Sequence, residues 1–363
     1  MPSQVIPLVR LSGTPEERGR CHGERFAAEI RLMRRALLRY LAGLTFYAGA
    51  LPLLAGLGLL SWRFWPYIPP RLREELRGVA RGAGLDLPNV LLINVLDDLA
   101  NNCPRCSALA VGEGRTAAGG YLAARNLDYP LFTDILVNFQ VLFVTEPDAG
   151  LPLASLAWPG YVGVCTGLNR AGVALAQLAA MSRDTTLKGL PAALRFRLAL
   201  EQWGTAAEVA SLVERLPATI GTNLLLCDPA AALVVEMSAE RRARRRPQAG
   251  LLTATNHYQH PALAVVKGRF PRRPPGSALD PYHFTEAYSQ ARDRRLQELA
   301  RGRVLSPPDL QAILADPGIA NPGTVNSVVF APGELKVWVA EKGPPPVSRG
   351  AFHLLTPWPG KTH

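Results

Sequence analysis

The chain of 363 residues is 48% hydrophobic and 19% charged, enough apolar material for one large core or two modest ones, which excludes a disordered or fibrous protein. Its formal charge of +11 favours acidic partners such as anionic lipid. The dense basic run "RRARRR" at 241–246 has no aromatic residues interleaved, which argues against nucleic acid, and it is predicted to be a solvated turn between strands.

In chain order, Thr14, Pro15 and Glu17 form a cap-like start for an Arg- and Glu-rich helix predicted to end near Arg39. Residues 40–62, "YLAGLTFYAGALPLLAGLGLLSW", carry no charge and as a helix would cross about 30 Å of hydrocarbon. Pro52 and four glycines interrupt the stretch, and both of its flanks are basic, so charge asymmetry gives no topology. Further helices are predicted in "PPRLREELRGVARGAG" and "LPNVLLINVLDDLA", so the first hundred residues read as helical. From Cys106 the texture changes to apolar runs of strand length: "CSALAV", "GYLAAR", "ILVNFQVLFV", "YVGVCTGL" and "GVALAQLAA". Helices are predicted at Ala192–Gln202 and Ala206–Arg215, and strands return at "NLLLCD", "ALVVEM" and "LLTATN". A Pro- and Arg-rich loop then leads to helices at 289–300 and 308–315, and "NSVVFAPGELKVWVAE" reads as a hairpin turning at "APGE". Strands in two batches with helices between and after them predict stacked sheets covered by helices.

Five cysteines (Cys21, Cys103, Cys106, Cys165, Cys227) at irregular spacing make a poor disulfide framework and suit a reducing compartment. No basic segment leading into an apolar core opens the chain, so no secretory signal is visible and a cytoplasmic location is expected. Cys103 and Cys106 in "NNCPRCSALAVG" admit four readings: a metal clip, a disulfide, a redox pair, or one nucleophile beside an ordinary thiol. No second CxxC or His pair occurs at zinc spacing, and the segment after Cys106 reads as a strand, not the helix a thioredoxin-type pair needs. A strand that begins with cysteine at a boundary between textures raises a specific chemistry. Cutting the bond between Arg105 and Cys106 puts a thiol and a free α-amine on one residue. That amine, ordinarily with a pKa of about 7.7–8.0, is a base matched to neutral pH. No histidine is then needed as base, and His257 in "ATNHYQH" is expected to be structural or to lie at a rim.

Taken together, "CSALAV" at 106–111, "ARNLDYP" at 124–130, "GYVGVCTGLNRAGVALAQL" at 160–178, "TNLLLCDPAAALVVE" at 222–236, "ATNHY" at 254–258 and "SQARDRRLQEL" at 289–299 form a collinear pattern. It resembles the N-terminal nucleophile hydrolases of the penicillin acyltransferase, choloylglycine hydrolase and acid ceramidase group. "GTPEERGRCHGERF" and "RGVARGAGLDLPNVLLINVLDDL" are similar to the prosegment of its bacterial acyltransferase-like branch. The resemblance implies an α+β fold, a four-layer αββα sandwich, in which residues 1–105 are a helical prosegment and 106–363 the catalytic part. It implies Cys106 as the nucleophile, exposed by self-cleavage after Arg105. Arg125 and Asp128 would hold and polarise the nucleophilic end, Asn256 would donate into an oxyanion hole, Gln177 would be a secondary oxyanion group, and Arg292 would support the site. Arg105 stands where glycine is frequent in relatives, and Gln177 where some members carry asparagine.

The implied reaction is hydrolysis of the amide of an N-acylated small molecule through a thioester on Cys106, with no metal or organic cofactor. Transfer of the acyl group to an amine, a self-processing peptidase-like protein, and a catalytically silent basic membrane-binding relative stand as alternatives. Residues 40–62 are expected as a hydrophobic lip lying on anionic head groups, which favours lipid-like N-acyl amides; a buried helical pair is the other reading. Residues 181–194 and 272–284 are expected to wall the substrate pocket. No pattern in the chain specifies an oligomeric state.

Overall fold

The computed structural model describes residues 4–44, 50–100, 105–117 and 119–359. Cys103, and with it the CxxC reading, lies outside the described residues, as do residues 45–49 of the uncharged stretch.

Before Cys106 the chain runs through β1 (Leu8–Gly13), α1 (Pro15–Arg25), α2 (Ala27–Leu44), α3 (Ala50–Ser61), α4 (Pro70–Ala83) and α5 (Leu87–Leu99). Thr14 starts α1 with a capping box, its side chain accepting from the Glu17 N–H while the Glu17 carboxylate takes the Thr14 N–H at 2.8 Å. α1 ends at Arg25, so the predicted single helix is two. α1 and α4 pack backbone against backbone at four glycines, Gly19, Gly23, Gly78 and Gly82. A Cβ at Gly19 would meet the Glu75 carbonyl, and one at Gly78 the Glu16 carbonyl. The buried pair Arg18–Glu75, at 2.9 Å, lies in the same contact. β1 corrects the all-helical expectation: it runs parallel to a later strand, Leu8 opposite Leu142, and buries Val9 and Leu11.

From Cys106 onward the elements are β2 (Arg105–Val111), β3 (Leu122–Asp128), α6 (Thr133–Asn138), β4 (Val141–Pro147), β5 (Leu153–Ala157), β6 (Thr166–Asn169) and β7 (Ala174–Ala179). Next come α7 (Ala192–Gln202), α8 (Ala206–Arg215), β8 (Thr222–Cys227), β9 (Ala232–Met237), β10 (Arg242–Arg245) and β11 (Leu251–Ala254). α9 (Glu286–Ala300), α10 (Pro307–Ala315), β12 (Thr324–Ala331), β13 (Lys336–Ala340) and β14 (Phe352–Leu355) complete the described elements. The strands form an eight-stranded sheet, β1-β4-β5-β6-β7-β8-β9-β10, and a six-stranded sheet, β11-β2-β3-β12-β13-β14.

Alternating residues of each strand feed different layers. Ala108, Ala110, Val144, Leu225, Val234 and Val328 meet between the sheets. Leu175, Leu224, Leu226 and Val235 face the other way, onto Phe196 of α7 and Val209 and Val213 of α8. Leu109, Val111, Leu122 and Val329 pack on Leu296 of α9 and Leu310, Ile313 and Leu314 of α10. The order is therefore helix, sheet, sheet, helix, the αββα sandwich expected. The helices before Cys106 dock on one side, where Val90 and Leu91 of α5 join Leu194 of α7 in one cluster.

Two further readings of the sequence change. "ILVNFQVLFV" is not one strand: α6 takes its first part after Phe132, whose φ of 58° breaks the extended chain, and β4 begins at Val141. "RRARRR" is not a turn: Arg242–Arg245 form the edge strand β10 paired with β9, Arg242 opposite Met237. Its guanidiniums alternate between faces, Arg244 meeting Glu214 at 2.6 Å and Arg245 meeting Glu236 at 2.5 Å. The uncharged stretch is divided between the end of α2 and α3, and among the described residues no helix is long and apolar enough to cross a membrane.

Candidate active site

β2 and β3 lie side by side with Cys106 opposite Leu127 and Ala108 opposite Arg125. Because side chains alternate, Arg125 shares the inter-sheet face with Cys106, while Asp128, three residues on, points into the α9 layer. The Arg-Asn-x-Asp spacing thus places one charge on each side of the sheet at Cys106. Arg125 Nη2 donates to the Cys106 Sγ at 3.2 Å, and its Nη1 is held by the Cys165 carbonyl and Thr166 Oγ1, both at 2.8 Å. Burial pushes the Cys106 thiol above its ordinary value, and the Arg125 charge opposes that shift. In the uncut chain the sulfur is therefore a thiol, poised beside a cation that favours its thiolate.

On the other face Arg292 of α9 joins the backbone to the acid. Its Nη1 donates to the Cys106 carbonyl at 2.8 Å and to Asp128 Oδ2 at 3.1 Å, and its Nη2 donates to Asn256 Oδ1 at 2.7 Å. The guanidinium sits 4.5 Å from the Tyr288 ring centroid. Asp128 also accepts from Asn321 Nδ2 and Thr324 Oγ1, each at 2.7 Å. Burial raises its carboxyl, and Arg292, Thr324 and Asn321 pull it back toward the charged form. Asn256, two residues after β11, is fixed by Ser289 Oγ, which accepts its N–H at 2.8 Å.

The resemblance implied a donor role for Asn256, but in this uncut chain its Oδ1 accepts the N–H of Cys106 at 2.8 Å while its Nδ2 donates to the Ala179 carbonyl at 2.8 Å. Two donors at Oδ1 and a carbonyl at Nδ2 leave one consistent orientation of the amide. Asn256 thus holds the Cys106 nitrogen. Gln177 of β7 lines the cavity with Cys106, as do Asn89 and Asn94 of α5, and the Gln177 Oε1 has no hydrogen-bond partner among the described residues. Arg105, on the opposite face from Cys106, is buried: its guanidinium lies 4.8 Å from the Phe284 ring centroid and 5.6 Å from that of Phe270, and its Nε donates to the His283 carbonyl at 3.3 Å.

A cavity of about 120 Å³ opens at Cys106. Its walls are mostly apolar, with Met33 and Leu37 of α2, Leu54 of α3, Leu92, Ile93 and Leu96 of α5, Phe132 before α6, Ile135 and Leu136 of α6, and Trp158 and Tyr161, and they also include Arg34, Asn89, Asn94 and Asp97. No residue of 181–194 or 272–284 lines it, which corrects the expectation for those segments. The distant helices of the first hundred residues wall it instead. Cys165, also in the wall, is held near pKa 12 by burial and shares a hydrogen bond with the Tyr161 hydroxyl at 3.0 Å, an inert thiol. His257 lies off the cavity, its Nδ1 within 2.9 Å of Ser289 Oγ and 3.1 Å of Thr255 Oγ1. Among the described residues no group of three or more His, Cys, Asp or Glu is arranged to hold a metal.

Asn321, Thr324, Tyr288 and Ser289 belong to this network without having been singled out from the sequence. Ser289 and Arg292 share one face of α9, three residues apart; Asn321 and Thr324 carry no local signal at all.

The family described as acyl-coenzyme A:6-aminopenicillanic acid acyl-transferase matches residues 115–342, well over half of the chain. The match contains Arg125, Asp128, Gln177, Asn256 and Arg292, and begins after Cys106. A protein of Archaeoglobus fulgidus is 27% identical over 201 residues, covering 49% of this chain and 33% of that protein. The acyl-coenzyme A:6-aminopenicillanic-acid-acyltransferase 40 kDa form of Emericella nidulans is 29% identical over 196 residues, 53% of this chain and 52% of its own. The chain thus spans about a third to a half of the length of such curated relatives. Among solved structures, the Caenorhabditis elegans N-acylethanolamine-hydrolyzing acid amidase ortholog aligns with a TM-score of 0.47 at 18% identity, over 63% of this chain and 93% of that one. A conjugated bile acid hydrolase from Clostridium perfringens aligns at 0.43 and 14%, over 69% and 92%. With the family match covering well over half of the chain and most strands of both sheets, the chain belongs to the acyl-coenzyme A:6-aminopenicillanic acid acyl-transferase family.

Proposed function

We propose that Cys106 is an N-terminal nucleophile that first cuts its own chain and then cleaves the amide of an N-acylated small molecule. The observation that carries this reading is one residue serving two sites: the Cys106 sulfur faces an apolar cavity beside Arg125, while its nitrogen is held by Asn256. In the first reaction the Cys106 Sγ attacks the Arg105 carbonyl carbon, the C–N bond breaks and the nitrogen takes a proton, leaving a thioester. Water then releases the Arg105 carboxylate and frees both thiol and α-amine. In turnover the α-amine takes the thiol proton, sulfur adds to the substrate carbonyl, and the same proton passes to the departing amine. Water resolves the second thioester. The Gln177 amide, facing the cavity, is the group placed to meet the developing oxyanion, and Asn256 positions the α-amine.

The cavity wall supports an apolar acyl group. A cavity of about 150 Å³ holds a benzene ring, so the 120 Å³ here accepts a ring or a few methylenes, and a longer chain would extend along α3. α3 carries Leu54 inward to that wall and presents Leu53, Leu59 and Leu60 to solvent. This supports a lip that rests on a lipid surface, with lipid-like N-acyl amides as substrates. Flotation with anionic vesicles is the check: a Leu59→Ser/Leu60→Ser chain should float less than the unaltered one, and an unaltered chain that never floats removes the lipid half of the reading. Transfer to an amine uses the same thioester, and the family match favours testing it beside hydrolysis by product analysis with and without added amine.

Intact mass under denaturing conditions tests the nucleophile. The chain should give two fragments divided between Arg105 and Cys106, and Cys106→Ala a single uncut one without turnover. Turnover by Cys106→Ala would refute the assignment.

A further inference from the structure

Away from the cavity, a groove of about 840 Å³ lies at the opposite end of β2, among Arg115, the turn between β10 and β11, and the end of α9. It is roughly 17 Å along an extended strand from Cys106. Five arginines line it, Arg115, Arg245, Arg246, Arg301 and Arg303, and no acidic residue does. Arg245 and Arg303 are compensated from behind, by Glu236 and Asp309. The other three make no ion pair among the described residues. Arg115 is instead fixed by backbone carbonyls: Arg303 at 3.3 Å, Ala249 at 3.1 Å, and Ala300. Its charge is thus held still and left uncancelled, while Arg246 and Arg301 reach from the rim into solvent. Gln259, also in the wall, has its Nε2 buried without a hydrogen-bond partner among the described residues.

A fixed guanidinium flanked by two exposed ones and an unmet amide donor is an anion receptor, and planar forks of N–H donors match phosphate oxygens. Its size falls in the range of small-molecule sites, and three uncompensated cations call for more than one phosphate. We propose that this groove binds a soluble small molecule bearing a diphosphate or several phosphates, independently of the chemistry at Cys106. A concave site with a fixed, half-buried cation in its wall suits a free ligand better than the flat face of a membrane, which would reach chiefly the exposed Arg246 and Arg301.

The test is titration calorimetry of the full chain, and of Cys106→Ala, with inorganic pyrophosphate at constant ionic strength, beside orthophosphate, sulfate and phosphatidylcholine vesicles doped with phosphatidylserine. One pyrophosphate should bind per chain, at least about tenfold more tightly than orthophosphate or sulfate, and equally to Cys106→Ala. Arg246→Ala/Arg301→Ala should lose about tenfold or more in affinity with an unchanged thermal midpoint in the absence of ligand. Absence of binding, binding that depends on ionic strength alone, affinity unmoved by the double substitution, or binding to vesicles but not to pyrophosphate would each overturn the proposal. None of these outcomes depends on whether Cys106 is a nucleophile.

Discussion

Arg292 is the residue on which the polar side of the site turns. It contacts the Cys106 carbonyl, Asp128 and Asn256 at once, with no exposed surface on either member of the Arg292–Asp128 pair. Taking away the carboxylate leaves a buried cation uncompensated, which costs about 3–5 kcal/mol. Asp128→Asn is therefore expected to lower the denaturant midpoint strongly as well as to abolish turnover; an unchanged midpoint would mean that the pair is not a structural element. Gln177→Ala should behave differently, reducing turnover at unaltered stability, because its Oε1 has no partner to lose. At this scale the meeting of Cys106, Arg125, Asp128 and Arg292 at one point was legible from the order of short motifs along the chain. Asn321 and Thr324 were not, because a single polar residue near a strand start has the same local pattern whether it supports a buried acid or faces water. The placing of Asn256 was half legible: its position is marked by "ATNHY", but which end of its amide faces Cys106 depends on Arg292 and Ala179, far away in the chain.

Between elements, the α1–α4 contact is set by glycines. Gly78→Ala would drive a Cβ into the Glu16 carbonyl, and overpacking of this kind costs about 1–3 kcal/mol; chemical denaturation should register that loss, and a neutral result would show that the helices can separate freely. His22 of α1 ties the same helix to the loop before β6, its Nε2 accepting the Gly160 N–H at 2.8 Å. Burial lowers its pKa from 6.5 to about 4. The unfolded chain therefore takes up a proton first as pH falls, and stability declines between about 6.5 and 4 by up to about 3 kcal/mol from this group. His22→Gln, which keeps an acceptor and does not titrate, should flatten thermal stability across that window; an unchanged slope would assign the acid sensitivity elsewhere. The capping box at Thr14 and Glu17, the helices α7 and α8, and the hairpin of β12 and β13 were readable because cap, period and turn chemistry are local. α6 and β10 were not: an Ile-Leu-Val run and an Arg run took the opposite state because the cavity and Glu214 and Glu236 decided where their side chains point.

In the molecule as a whole, residues before Cys106 are joined to those after it by more than the Arg105 bond. β1 is an edge strand of the eight-stranded sheet, α5 packs with α7, and α2, α3 and α5 wall the cavity. If the chain is cut as proposed, the two fragments should elute together at the size of the intact chain under native conditions and part only in denaturant. Free release of the N-terminal fragment would show that the wall is temporary. Composition, the change of texture at Cys106 and the order of strands and helices determined by themselves that this is a layered α+β protein with a cysteine at a strand start, since those features are written in local periodicity and spacing. That helices from the first hundred residues wall the cavity at Cys106, that Arg292 joins Asp128, Asn256 and the Cys106 carbonyl, and that scattered arginines converge on one groove were decided only by the tertiary structure, because each depends on contacts between residues far apart in the chain, many of them a hundred or more positions away.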